Sequence, residues 1–219
     1  EPQEYEVYRT EYKNKIIQLP ENNKGIIYAR NFIKKYCEQK GLQSYWQIDD
    51  DISYTYLRQG TKLIRKDMLD CILESQKIFE ANNITLGSLE YRQYAWSAIK
   101  ELIKNSFCDS FVFMDLTKTS SIYYRENTKE DRDFAMQVID NNLKTARTTL
   151  YSFSAPANGS NEGGLKEIFY DIEDAELKTV QNMVKIWGEN ICKHIVKKDG
   201  RNDLKIYWKN INSKQQTLF

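Results

Sequence analysis

The chain has 219 residues, 41% hydrophobic and 13% aromatic, with 32 lysines and arginines against 31 acids. That length and apolar content suit one domain with a full core and exclude a disordered chain. A formal charge of +1 gives no whole-molecule field for nucleic acid, so any such affinity must come from a local patch. Cys37, Cys71, Cys108 and Cys192 are widely spaced and form no Cys-x-x-Cys pair, as expected for core thiols in a reducing cytoplasm. No apolar run reaches membrane-spanning length and no signal peptide is visible, so no membrane partner is expected.

At the start of the chain, Tyr5-Glu6-Val7-Tyr8 and Lys15-Ile16-Ile17-Gln18-Leu19 read as two short strands, the second ended by Pro20. A loop over Glu21 to Gly25 leads into a helix marked by Phe32, Ile33, Tyr36 and Cys37 and closed by Gly41. A strand from Tyr45 to Ile48 follows and ends in Asp49-Asp50-Asp51. This order predicts a βαβ unit with parallel strands. Ligands collect beyond the carboxyl ends of such strands, where the Asp triplet and the Lys24-Gly25 loop would lie.

Three adjacent carboxylates repel one another, so they stay ionised only in open water or against a cation. A run of Asp is often an ordinary loop, but Trp46, Ile48 and Ile52 flank this one with core-forming side chains. Hard divalent ions such as Mn²⁺ or Mg²⁺ take oxygen ligands and complete their shell with water and phosphate, which suits Asp49 and Asp51. Arg30, near the start of the helix, is either a solvated residue or a partner for the Asp cluster or an anionic ligand.

Farther along, Met68, Leu69, Ile72, Leu73 and Phe79 mark a helix after the polar segment from Gln59 to Lys66. A short strand Ile84-Thr85-Leu86 follows, then a helix carrying Tyr94, Ala95, Ala98, Ile99, Leu102 and Ile103. Phe111-Val112-Phe113-Met114 is the most apolar strand. Thr128-Lys129-Glu130-Asp131 matches a capping box before a helix carrying Phe134, Val138, Ile139 and Leu143. Acids in a first turn offset the helix dipole whether or not they do chemistry.

Thr148 to Ser154 alternates as a strand and leads to a small-residue loop, Asn158 to Gly164, without the Lys-Ser/Thr ending of a P-loop. A long helix over Leu177, Val180, Val184, Trp187, Ile191 and Ile195 precedes a last strand, Leu204 to Trp208. From Lys193 to Lys214, seven basic residues meet two acids, Asp199 and Asp203, with Tyr207 and Trp208 among them. That stretch is either a solvated helix end or a surface that follows a phosphate backbone. His194, the only histidine, is either structural or a third metal ligand.

This order of pieces resembles a nucleotide-sugar glycosyltransferase of the GT-A type, through Gly25, Ala29-Arg30-Asn31, Asp49-Asp50-Asp51 after a strand, and Glu130-Asp131 opening a helix. More closely, Glu1-Pro2-Gln3-Glu4, Leu19 to Gly25, Tyr124-Arg125-Glu126, Glu130 to Phe134, Asn161 to Gly164 and Gly200 to Asp203 resemble the TET-associated glycosyltransferase family. The resemblance implies an α/β, GT-A-like fold with a mixed, mainly parallel sheet flanked by helices. It implies a single domain over residues 1–219, opening just after the first strand–helix unit that helps hold the nucleotide.

The activity it implies is sugar transfer from a nucleotide sugar, UDP-linked by expectation, to a hydroxymethylpyrimidine in DNA, in the cytoplasm of a bacterial or phage-infected cell. Asp49, Asp51 and His194 would hold Mn²⁺ or Mg²⁺, while Lys24, Gly25, Arg30, Asn31 and Asp50 would face the donor. Asp131, with Glu130 and Asp133 next, would take the proton of the acceptor hydroxyl. A flipped base would approach the Gly163-Gly164 loop, and Lys197, Lys198, Arg201 and Lys205 would hold DNA phosphates. A protein or small-molecule acceptor, a metal-dependent phosphoesterase, and a non-catalytic interaction module remain open as other readings.

Overall fold

The computed structural model describes residues 1–156 and 174–217. The expected Gly163-Gly164 acceptor loop lies outside these residues. The fold is built on a seven-stranded sheet in the order β1 (Ser44–Ile48), β6 (Phe111–Asp115), β4 (Leu86–Tyr91), β7 (Thr145–Ser154), β2 (Tyr54–Gln59), β3 (Lys62–Lys66), with β5 (Leu102–Lys104) also paired to β7. Only β4 and β7 run parallel; every other pairing in this sheet is antiparallel. The mixed α/β class is as expected, whereas the mainly parallel sheet is not.

The reason lies at the front of the chain. Residues 5–12 form a helix, α1 (Tyr5–Tyr12), started by Pro2 in a short 3₁₀ turn and supported by an Arg9–Glu6 pair at 3.6 Å. Residues 16–19 join no sheet, so among the described residues no strand precedes β1 from which the chain could cross over. It enters the sheet antiparallel to β6 instead, with Ile48 opposite Phe111.

Helix α2 (Gly25–Gln39) ends as its sequence demands. Gly41 takes a left-handed φ of 70°, and the amides of Gly41 and Leu42 bond back to the carbonyls of Glu38 and Cys37 at 2.9 and 3.1 Å. Helix α3 (Met68–Ala81) is capped by the Asp67 carboxylate, which accepts from the Leu69 and Asp70 amides. Between β1 and α3, the segment read as a polar connector from residue 59 is the second arm of a β2–β3 hairpin turning at Gly60-Thr61.

The sheet separates two apolar layers by the period-two alternation of β6. Val112 and Met114 pack toward α2 and α6 (Glu130–Asp140), with Cys37, Phe134 and Val138. Phe111 and Phe113 face the other way, among Cys71 and Phe79 of α3. A third cluster lies where Met136 and Ile139 of α6 meet Val180, Met183 and Trp187 of α7 (Ala175–Trp187), with Leu204 of the β8 (Cys192–Val196) and β9 (Asn202–Ile206) hairpin. All four cysteines are free and buried. Among the described residues, no helix is long and apolar enough to cross a membrane.

Two helices read from the sequence are shorter than expected. The run from Tyr94 to Ile103 forms only α4 (Arg92–Ala95), then a loop in which Ile99 is 98% exposed, then β5. Likewise α7 stops at Trp187, where Gly188 takes φ 82°, and Ile195 lies in β8 rather than on the helix.

Candidate active site

β1 ends at Ile48, and the Asp49 amide continues its ladder by donating to the Ser110 carbonyl at 2.8 Å. Asp49 is thereby held at the strand's end, with Asp50 and Asp51 in the turn that follows. From the other side of β6, Tyr91 at the end of β4 brings its hydroxyl to Asp109, donating at 3.2 Å, and to the Ser110 hydroxyl at 3.2 Å. The first turn of α6 supplies Glu130 and Asp131.

Arg30, buried on α2, ties these pieces together. Its Nη1 donates to Glu130 at 2.8 Å and its Nη2 lies 3.6 Å from Asp49. Burial alone would weaken its hold on the proton, but Glu130, then Tyr124, Asp49 and Asp131, outweigh it and raise the Arg30 pKa. Asn31, the next residue, clamps the Tyr124 backbone with two bonds of 2.9 Å. Both polar atoms of the Asn31 side chain, expected to face the donor, are engaged in this clamp.

The carboxylates outnumber the cations at this edge, and their affinities for protons record it. Burial, then the Asp131 charge, push Glu130 up to about 7 despite Arg30. Burial and Asp131 likewise push Asp109 up to about 7, with Arg147, Tyr91 and Arg132 opposing. Asp49 is also raised, chiefly by burial, with Arg30 and the Ser110 hydroxyl opposing and Asp51 and Asp50 adding to it. Asp131 stands at the centre of this set: its charge acts on Glu130, Asp109, Arg30, Arg132, Tyr91 and Tyr124. It is partly buried, and among the described residues it accepts no hydrogen bond and joins no ion pair. Arg30 Nε, Asp109 Oδ1 and Arg147 Nε are buried without a hydrogen-bond partner among the described residues. Orphaned polar atoms of this kind mark a place where a ligand or water completes the network.

The sequence model of the TET-associated glycosyltransferase family matches residues 1–164. The chain belongs to this family. No curated protein and no solved structure matches it. The whole acidic edge, from Arg30 to Asp131, falls inside the matched glycosyltransferase region, whereas the β8–β9 hairpin lies beyond it.

Several residues expected at the glycosyltransferase site are placed elsewhere. Asp133 is fully buried and structural: it pairs with Arg125, accepts from Trp187 Nε1 at 2.8 Å and accepts from Gln137 at 2.9 Å. His194 sits in β8 with Nε2 2.7 Å from Asn202 Oδ1. Among the described residues, no group of three or more His, Cys, Asp or Glu suited to a metal is found, so His194 does not join Asp49 and Asp51. Lys24 pairs with Glu21 at 3.0 Å on the surface, beside Gly25 at the α2 N-terminus. Asp50 is exposed at the triplet's centre. The capping box does not form, because Lys129 is the N-cap of α6 and the Thr128 hydroxyl donates to the Arg125 carbonyl.

The cations expected to hold DNA are largely engaged. Lys197 pairs with Asp203 at 2.7 Å, Arg201 with Asp199 at 2.8 Å, and Lys205 lies 5.2 Å from the Tyr207 ring centre. Lys198 is exposed in the turn between β8 and β9. Asp109, Tyr91 and Arg147 were missed from the sequence. The one signal was a polar Asp109-Ser110 step just before the most apolar strand.

Proposed function

We propose that this glycosyltransferase moves a sugar from a nucleotide-sugar donor to the hydroxymethyl group of a pyrimidine in DNA. Asp131 is the base that takes the hydroxyl proton, in a reaction that inverts the anomeric centre. The observation that carries this is the convergence of Asp49 and Glu130, 81 positions apart in the sequence, on the one buried guanidinium of Arg30 at 3.6 and 2.8 Å. That contact brings Glu130, the residue before Asp131, to Asp49 at the edge of the triplet. Glu130 is engaged by Arg30 and Asp133 by Arg125, which leaves Asp131 as the first-turn acid with an open acceptor.

Asp49 and Asp51 fit a hard divalent ion as a pair of oxygen donors, and with no third protein ligand beside them among the described residues the rest of the shell would fall to phosphate and water. Such an ion, Mn²⁺ or Mg²⁺, supplies Lewis acidity to the departing diphosphate when bound. Arg30 opposes the rise in proton affinity at Glu130 and Asp49 and fixes their spacing. Tyr91, itself hydrogen-bonded to Ser110, orients Asp109 alongside.

The test is transfer of labelled sugar from a panel of nucleotide sugars to DNA with and without hydroxymethylpyrimidine. Incorporation that requires the hydroxymethyl group, and that falls in Asp49→Asn and Asp51→Asn, supports the reading. Incorporation indifferent to that group ends the DNA assignment.

A further inference from the structure

A cleft of about 530 Å³ adjoins the acidic edge, lined by Thr61 and Leu63 of the β2–β3 hairpin, by Tyr91 at the end of β4, by Arg92 and Gln93 of α4 and by Trp96 just after it. Tyr91 belongs to both, since its hydroxyl donates to Asp109. Arg58 fixes the two walls to one another. Its Nη1 donates to the Gly60 carbonyl in the hairpin turn at 3.4 Å and to the Ala98 carbonyl just past α4 at 3.1 Å. Its Nε anchors the same side chain to the Thr149 carbonyl at 3.0 Å. The opening is therefore built in advance of any ligand.

The hairpin is also one-signed, and β3 is the sheet's edge strand, from whose opposite faces Lys62 and Arg65 extend. Residues 54–66 contain Arg58, Lys62, Arg65 and Lys66 and no acid. Lys66 is paired with Asp70 and Glu74 of α3, but Lys62 and Arg65 are exposed and join no ion pair among the described residues. The Arg65 guanidinium lies 3.6 Å from the ring centre of Tyr54, itself 48% exposed. At the cleft, Trp96 is 53% exposed and Arg92 lies 5.1 Å from the Tyr56 ring centre. Exposed indole and guanidinium planes stack on any base, and unpaired cations beside them match phosphates. The Gln93 amide adds a donor and an acceptor for a base edge.

We propose that the β2–β3 hairpin and this cleft are the surface that binds the acceptor polynucleotide. Its phosphates meet Lys62 and Arg65, and the target pyrimidine enters the cleft against Trp96 and Gln93. The inference rests on the DNA-acceptor reading of the site. It moves the nucleic-acid contact from the C-terminal hairpin, where Lys197 and Arg201 are paired with acids, to a hairpin that immediately follows the Asp triplet.

The test is fluorescence anisotropy of the full chain with labelled single-stranded and duplex oligonucleotides bearing a hydroxymethylpyrimidine, across a salt series, together with nucleotide-sugar hydrolysis. Lys62→Glu/Arg65→Glu is expected to weaken binding at least tenfold and to reduce the slope of log K against log salt by about 2. Trp96→Ala weakens binding about tenfold through the lost stack. Lys197→Glu/Lys198→Glu stays within about twofold of wild type, and a melting curve for each variant confirms that it is folded. Hairpin variants that bind and modify DNA like wild type overturn the surface alone, as does a loss confined to Lys197→Glu/Lys198→Glu. Wild-type protein that hydrolyses donor but binds neither oligonucleotide overturns the surface and the DNA reading together.

Discussion

The acidic edge and the β8–β9 hairpin both gather acids and bases, and they settle their charges in opposite ways. In the hairpin, Asp203 is held by Arg132 at 2.6 Å, Lys197 at 2.7 Å and Lys129 at 3.5 Å. Burial works against its ionisation, yet the Lys197 hydrogen bond and the Arg132 charge keep its carboxyl well below the usual range. At the edge, Asp49, Glu130 and Asp109 are all raised, because burial and neighbouring carboxylates outweigh Arg30 and Arg147. A charge cluster that satisfies itself stabilises the fold; one left short of cations is poised to take a proton, an ion or a phosphate-bearing ligand.

The strongest way to break this contrast is to remove its hub. Arg30→Met leaves Glu130 and Asp49 buried without their cation, and unfolding free energy should drop by about 3–5 kcal/mol in denaturant titration at pH 8. The drop should shrink at pH 5, where both carboxyls can protonate. An equal loss at both pH values would show that Arg30 acts by packing alone. In the hairpin, Asp203→Asn should cost about 3 kcal/mol, because Arg132 and Lys129 lose their shared partner in a largely buried site. Asp199→Ala, on a fully exposed pair, should leave the melting temperature unchanged.

A smaller effect follows from the proton affinities. Asp109 has an ordinary carboxyl pKa of 3.8 raised to about 7 in the fold. The folded state therefore holds a proton that the unfolded state releases, and stability contributed below that window is lost as pH rises through it. Melting temperature should fall from about pH 4 to about pH 7 more steeply in wild type than in Asp109→Asn, whose amide still accepts from Tyr91. Because Asp131 contributes to the shift after burial, Asp131→Asn should lower the Asp109 pKa in a carbon-detected carboxyl titration. An unmoved Asp109 would place the two side chains apart.

Much of the local structure was legible because local chemistry sets it. Gly41 after a helical run, the helical spacing from Met68 to Phe79, and the apolar Phe111 to Met114 each specify an element without reference to the rest of the chain. Pairing partners carry no such mark, so the antiparallel seating of β1 beside β6 could not be read, and the sheet was expected to be mainly parallel. Spacing also misled where two elements happened to share a helical period. Ala95 is buried under α4, while Leu102 and Ile103 belong to β5. Tyr5 to Tyr8 alternates like a strand, yet α1 buries none of its residues and follows its local helix signals instead.

The site was half legible for the same reason. Arg30, Asp49 and Glu130-Asp131 were visible as charged residues at element ends, and the fold brings them together. Asp133 stood next after Asp131 as a candidate base in the sequence, two positions away on one helix. The 3.6-residue turn points it instead into the core, against Arg125 and Trp187. The C-terminal lysines looked like a basic patch because Asp199 and Asp203 could not be paired with them until the hairpin was known.

That pair of acids on α6 provides the most direct measurement: the initial rate of sugar transfer per folded molecule for Asp131→Asn and Asp133→Asn, each with its melting curve. Asp131→Asn should melt within a few degrees of wild type while losing about 10²–10⁴-fold in rate, the size of a general-base contribution. Asp133→Asn should melt well below wild type, yet its folded fraction should turn over near the wild-type rate. The reverse pattern, with Asp131→Asn active and a folded Asp133→Asn inactive, would contradict the assignment of chemistry to the acidic edge.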